Sequence, residues 1–169
     1  SYYGLVISGE EFMITKNEIF AGVNGDYACG IDIEGAASGI VDSNKIRVFS
    51  PKVAYGIYAC DWNMEGQAVN YTNNDIYGDA YAVYGMELLF GEEAFIDCNN
   101  IILYGNYTTG IAEMMIDDIA VVTNNDIYVH GTNTDMADTG DMVPSRTVGI
   151  FSMGDSLIVG NAISSTGNW

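Results

Sequence analysis

The chain has 169 residues, 49% of them apolar, and carries five Lys and Arg against 23 Asp and Glu, a formal charge of −18. That composition supports one folded domain, residues 1–169, and argues against an acidic disordered tail. The charge disfavours nucleic acid and anionic membrane as partners, and the longest uncharged stretch, Cys98 to Ala112, is too short and polar to be a membrane-spanning segment.

The chain opens on a strand-like run, Tyr2-Tyr3-Gly4-Leu5-Val6-Ile7, and from there repeats itself. A small residue followed by an aliphatic recurs as Gly4-Leu5, Gly30-Ile31, Gly56-Ile57, Ala82-Val83, Gly110-Ile111 and Gly149-Ile150. Between these marks falls Asn-x-Ile, at Asn17/Ile19, Asn44/Ile46, Asn74/Ile76, Asn100/Ile102, Asn125/Ile127 and Asn161/Ile163. Each unit mixes short β-branched or aromatic runs with Gly, Asn and Asp, which is the chemistry of strands and turns. A unit of about 26 residues cannot bury its own apolar face, but coils stacked at the β spacing can share one core. The pattern therefore predicts an all-β fold, a right-handed parallel β-helix of about six coils. Its Ile and aliphatic columns would point inward, and Cys60, Met86, Met114 and Met153 would form a third inward column. The Asn column reads as a corner ladder, with asparagine adopting left-handed backbone and bonding to the rungs above and below.

The Gly-Ile marks and the runs Thr72-Asn73-Asn74-Asp75-Ile76 and Thr123-Asn124-Asn125-Asp126-Ile127 resemble the repeats of pectate-lyase-like parallel β-helix proteins. They are similar also to acidic, repetitive surface proteins of archaea and bacteria, described as adhesin-like, surface-layer or sheath proteins. The resemblance implies the fold and an extracellular, cell-surface setting. It does not select a function, because this scaffold carries enzymes, adhesins and structural shells alike.

Candidate sites follow. Asp117-Asp118 and His130-Gly131 are the fragments a glycoside hydrolase would use, since that chemistry needs paired carboxylates. In the polygalacturonase-like pattern, however, an Asn-Thr-Asp element precedes His-Gly, whereas Asn133-Thr134-Asp135 follows it here. Lyase chemistry needs a basic residue and cations for the acidic substrate, yet residues 53–145 hold 15 acids and no Lys or Arg. His130 itself reads as a turn histidine. The excursion from Gly131 to Thr147 lengthens one coil and spaces Asp135, Asp138 and Asp141 by three, a set that could offer oxygens to Ca2+ or form a solvated loop; no cofactor is required. Tyr58, Tyr84, Tyr77 and Tyr128 recur at fixed offsets, and such a stripe beside carboxylates would suit a glycan ligand or a plain sheet surface.

Cys29, Cys60 and Cys98 lack metal-ligand spacing and read as small buried hydrophobes, with an intermolecular disulfide as the alternative. The sequons at Asn70 and Asn106 occur about as often as chance allows. The first residue, Ser1, with no basic region ahead of an apolar stretch, reads as the start of a piece of a longer chain. Neither end carries a capping helix, so either the caps belong to the rest of a longer polypeptide or the solenoid ends pair with a further subunit, and a homo-oligomer or polymer is the expectation. The expected function is a structural surface element, a sheath, surface-layer or filament subunit, with a polysaccharide-degrading enzyme or glycan-binding adhesin as the alternative.

Overall fold

The computed structural model describes residues 2–22, 24–35, 38–60, 68–132 and 147–167, without the side chains of 90–92 and 115–118. It is a parallel β-solenoid: one continuous 13-stranded sheet in which every strand pairing is parallel. Corners fold that sheet into three walls. Wall one stacks β1 (Tyr2–Ile7), β4 (Tyr27–Glu34), residues 53–60 of β6 (Lys45–Cys60), 82–91 of β8 (Asp75–Asp97), 107–116 of β9 (Asn100–Thr123) and β11 (Val148–Met153). Wall two stacks β2 (Glu11–Thr15), β5 (Ser38–Asp42), β7 (Ala68–Thr72), 93–97 of β8, 119–123 of β9 and β12 (Ser156–Val159). Wall three stacks β3 (Glu18–Gly22), 45–50 of β6, 75–80 of β8, 100–105 of β9, β10 (Asp126–Gly131) and β13 (Ala162–Gly167).

Each wall sends one or two columns of β-branched and aliphatic residues into a shared core. Wall three contributes Ile19, Ile46, Ile76, Ile101, Ile127 and Ile163 in register. Wall one contributes Leu5, Ile31, Ile57, Met86, Ile111 and Ile150. Wall two contributes Ile14, Val41, Tyr71, Ile96 and Val122. Their middle members are fully buried, each contributing about 2 kcal/mol on removal from water.

Two columns depart from the expected ones by short slips. In the fourth rung the core isoleucine is Ile101, wholly buried and paired with Ile76 and Ile127, whereas Ile102 faces outward between Tyr77 and Tyr128. In the same coil the small residue is Gly85 rather than Ala82: Ile57 pairs with Met86, and Val83 lies between Ala54 and Thr108. Met86 thereby belongs to the aliphatic column. The column through Cys60, Met114 and Met153 takes Leu89 instead, begins at Glu34, and lies outside the central core cluster.

Glycine recurs at 4, 30, 56, 85, 110 and 149 because walls one and three approach too closely for a side chain. A Cβ built at Gly30, Gly56, Gly85 or Gly110 would strike the Cγ2 of Ile46, Ile76, Ile101 or Ile127 in its own coil and the carbonyl oxygen of the next glycine in the column. None of these six has positive φ; what they supply is clearance.

Candidate functional site

The corner between walls two and three is the most regular feature. Asn17, Asn44, Asn74, Asn99, Asn125 and Asn161 stack there, and Asn99, not Asn100, occupies the fourth rung. Asn100 points outward, donating to Asp75 at 3.0 Å. In each interior rung the side-chain amide donates to the next Asn Oδ1 and to a backbone carbonyl of the coil below, as Asn74 does to Asn99 (3.0 Å) and Val41 (2.8 Å). The backbone N–H of each also donates to the next Oδ1, 2.9 Å from Asn74 to Asn99. Every polar atom of a buried amide is thus satisfied.

Left-handed backbone falls one residue earlier than the sequence suggests, at Lys16, Ser43, Asn73, Cys98, Asn124 and Gly160, with φ between 53° and 72°. One residue further back, Thr and Asp alternate: Thr15, Asp42, Thr72, Asp97, Thr123. Each aspartate accepts from the next threonine at 2.7 Å, Thr72 to Asp42 and Thr123 to Asp97, and from the following asparagine at 2.8 Å. These bonds hold the Asp42 and Asp97 carboxyls below the usual carboxylate range: Asn73, Thr72 and Ser43 act on Asp42, and Thr123, Cys98 and Asn124 on Asp97.

The outer face of wall three carries an aromatic zigzag drawn from two neighbouring columns. Phe20, Phe49, Tyr77, Tyr104 and Tyr128 follow one another at centroid separations of 5.6 to 5.8 Å. Arg47 lies over the Tyr77 ring at 5.8 Å and pairs with Asp75 at 3.1 Å. Beside the zigzag, where walls three and one meet, an open cleft of about 500 Å3 is lined by Ser50, Pro51, Asp79, Ala80, Tyr81, Tyr104, Gly105, Asn106, His130 and Thr132.

A second aromatic stack, Tyr3, Tyr27, Tyr55 and Tyr84, runs along wall one, with Tyr55 and Tyr84 parallel at 4.9 Å. Tyr58 pairs between Asp32 and Glu87 in the sheet register and meets Tyr55 edge-on at 5.3 Å. Asp32 and Glu87 are buried at 3% and 5% exposure, and Asp32 Oδ1 has no hydrogen-bond partner among the described residues. Burial first, then neighbouring ionisable groups, pushes the Tyr27, Tyr55 and Tyr58 phenols well up.

Two acids are driven upward on this wall. Glu113 continues the column Ile33, Ala59, Leu88, is 2% exposed, and its Oε1 has no hydrogen-bond partner among the described residues. Burial pushes its carboxyl up to about 7, opposed by Ser152; burial and the Glu34 charge push Asp32 up to about 6. Both hold protons in the folded chain where the unfolded chain has lost them. Their stabilisation is therefore complete below about pH 4 and lost as pH rises through 6 to 7. Urea midpoints are expected to fall between about pH 5 and pH 8, and Glu113→Gln should remove much of that slope, stabilising the chain by about 2 kcal/mol at the upper end. Asp42 and Asp97 act with the opposite sign, losing their contribution only as pH falls through their lowered values.

The remaining expected residues are placed as follows. His130 is a strand residue of β10, its Nδ1 2.8 Å from Thr166 Oγ1 and its ring 6.1 Å from Tyr104. Asp117 and Asp118 fall within β9, and their side chains lie outside the described residues, as do Asp135, Asp138 and Asp141 altogether. Cys29 and Cys60 are buried, but Cys98 is exposed, because it holds a left-handed corner position rather than a core one. Asn70 is exposed on β7, whereas Thr108 of the second sequon is buried. Among the described residues, no group of three or more His, Cys, Asp or Glu side chains could hold a metal ion, and no helix is long and apolar enough to cross a membrane. No protein-family model, curated protein or solved structure matches the chain.

The cleft and the aromatic zigzag escape a sequence reading because Tyr104 lies two residues beyond the column of Tyr77 and Tyr128. A search for aromatics at i and i+2 in alternate rungs would join them.

Proposed function

We propose that this chain is a structural element of an extracellular surface assembly, a sheath, layer or filament, in which copies stack rung on rung. The observation that carries this reading is the polarity of the asparagine ladder. From Asn44 to Asn161 each Oδ1 accepts two hydrogen bonds, whereas Asn17 Oδ1 accepts none among the described residues. Asn161 spends its side-chain amide on Val122 and Val159, and its backbone N–H, which in the rungs below donates to the next Oδ1, has no acceptor among the described residues. The first rung thus presents an acceptor where the last presents a donor.

Among the described residues the apolar columns of the last rung are exposed as well. Ile158, paired with Val122, and Ile163, paired with Ile127, are 44% and 48% exposed. Stacking a second copy would bury them under Ile14 and Ile19 and extend all three walls by parallel pairing. The acidic walls keep neighbouring stacks hydrated and apart, and Ca2+ would draw them together by neutralising that charge. The likeness of the repeat to acidic surface proteins agrees with this reading.

Light scattering and electron microscopy test it. Elongated particles should grow with protein concentration, and Ile163→Glu should reduce growth at least about tenfold by placing a charge in the buried junction, with its circular dichroism unchanged. Monomers at every concentration, with and without calcium, would overturn the proposal.

A further inference from the structure

We propose that the cleft between walls three and one binds an uncharged, linear saccharide lying parallel to the solenoid axis. The cleft is built along the stacking direction. Ser50, Ala80, Gly105 and Gly131 are register partners in successive rungs, so the lined stretch from Ser50 to Thr132 covers about 14 Å at the β repeat. Its floor is low because the column there holds only small residues; a Cβ at Gly105 would strike the Ala80 carbonyl.

One side is formed by Asp79, Tyr104 and His130, the other by Pro51, Tyr81, Asn106 and Thr132. Tyr81 and Tyr104 are 47% and 36% exposed, and each offers a flat apolar surface of the kind that packs on a pyranose face. Tyr81 is braced edge-on by Tyr107 at 5.3 Å, and Tyr104 sits between Tyr77 and Tyr128 at 5.8 Å on each side, so both rings are pre-positioned. Between them stand groups suited to sugar hydroxyls. The Asp79 carboxylate accepts, and among the described residues the Asn106 amide uses only its Oδ1, which accepts from Thr132 at 2.9 Å, so its NH2 is offered to a ligand. Among the described residues the His130 ring bonds only through Nδ1, to Thr166, which leaves Nε2 to a ligand.

Charge decides the class of saccharide. Among the described residues no Lys or Arg lines the cleft, Asp79 is exposed within it, and the chain as a whole is at −18. A uronate polymer or a nucleic acid strand is repelled here, whereas a neutral chain loses nothing. A proline-rich peptide also fits aromatic grooves, but the alternation of rings with a carboxylate, an amide and an imidazole favours a ligand that carries hydroxyls on every unit.

His130 is the only histidine, so its ring-proton resonances report on the cleft in the unaltered protein. The titrants are tetramers of β-1,4-linked glucose, mannose and N-acetylglucosamine, with a galacturonate tetramer and a proline-rich decapeptide beside them. The expected result is saturable movement of the His130 resonances by at least one uncharged tetramer, with Kd of about 1 mM or tighter. Tyr104→Ala and Tyr81→Ala should each weaken that binding about tenfold, and Tyr3→Ala, on wall one, should leave it unchanged. No saturation by any uncharged tetramer, tighter binding of the galacturonate or the peptide, or full affinity in both cleft variants would overturn the proposal. None of these readouts depends on whether copies stack end to end.

Discussion

Gly85→Ala is expected to destabilise the solenoid by more than about 3 kcal/mol, at the upper end of what overpacking a close-packed interior costs. The added Cβ meets two obstacles of different kinds. One is Ile101 Cγ2, 2.6 Å away, a side-chain atom; the other is the carbonyl oxygen of Gly110, a backbone atom held by the next coil. Ile101→Leu, which removes the β-branch, relieves the first obstacle and not the second, so the double variant should recover only part of the loss. Urea denaturation of the two single variants and the double variant would measure this. Complete recovery would show that the side chain alone sets the clearance, and no loss in Gly85→Ala would show that the coils can separate to admit a methyl group. Gly9, where an added Cβ would meet nothing within 4 Å, is the matched control and should tolerate alanine.

Asn99→Leu, nearly the same shape without the amide, should cost about 4 kcal/mol or more. It strands the Asn74 N–H and side-chain amide, which both donate to Asn99 Oδ1, and removes the donor to the Tyr71 carbonyl and to Asn125 Oδ1. Unsatisfied buried groups cost about 1–3 kcal/mol apiece. Asn99→Asp separates the two halves of that loss. The carboxylate still accepts from Asn74 but cannot donate to Asn125 Oδ1, which it would face oxygen to oxygen, so the variant should be markedly more stable at about pH 4, where a protonated carboxyl donates, than at pH 7. Asn17→Ala, at a rung whose Oδ1 accepts nothing among the described residues, should cost far less. Equal losses at positions 17 and 99 would mean that the ladder is not the source of the stability.

The repeat is legible because a parallel solenoid places like residues over like, and isoleucine and asparagine have few substitutes at an inward column and a closed corner. It blurs where two registers are equally well written. Asn99-Asn100 followed by Ile101-Ile102 satisfies Asn-x-Ile twice, and a one-residue slip reverses every side chain. The decision lies two residues upstream, where Asp97-Cys98-Asn99 matches Thr72-Asn73-Asn74 and Thr123-Asn124-Asn125. Ala82 competes with Gly85 because it keeps a step of 26, whereas the chain spends 29 residues between Gly56 and Gly85 and 25 between Gly85 and Gly110. Glu113 is silent because nothing in its local pattern separates an inward acid from a surface one. The cleft is silent because its lining comes from different residue types at one corner of several rungs, and a ligand surface of that kind leaves no periodic trace.

The alternation of Thr and Asp outside the asparagine ladder gives the molecule a parity. Each aspartate accepts hydrogen bonds from the rung that follows it, and neither has another acid beside it in the column. Excising the single coil that contains Thr72 would set Asp42 against Asp97 at about 4.8 Å, so that Asp42 would exchange the donors Thr72 and Asn73 for a repelling carboxylate. Lengthening or shortening this tube by duplication is therefore cheap in even steps and costly in odd ones, so the natural unit of growth is a pair of coils, although the eye and the sequence both count them singly.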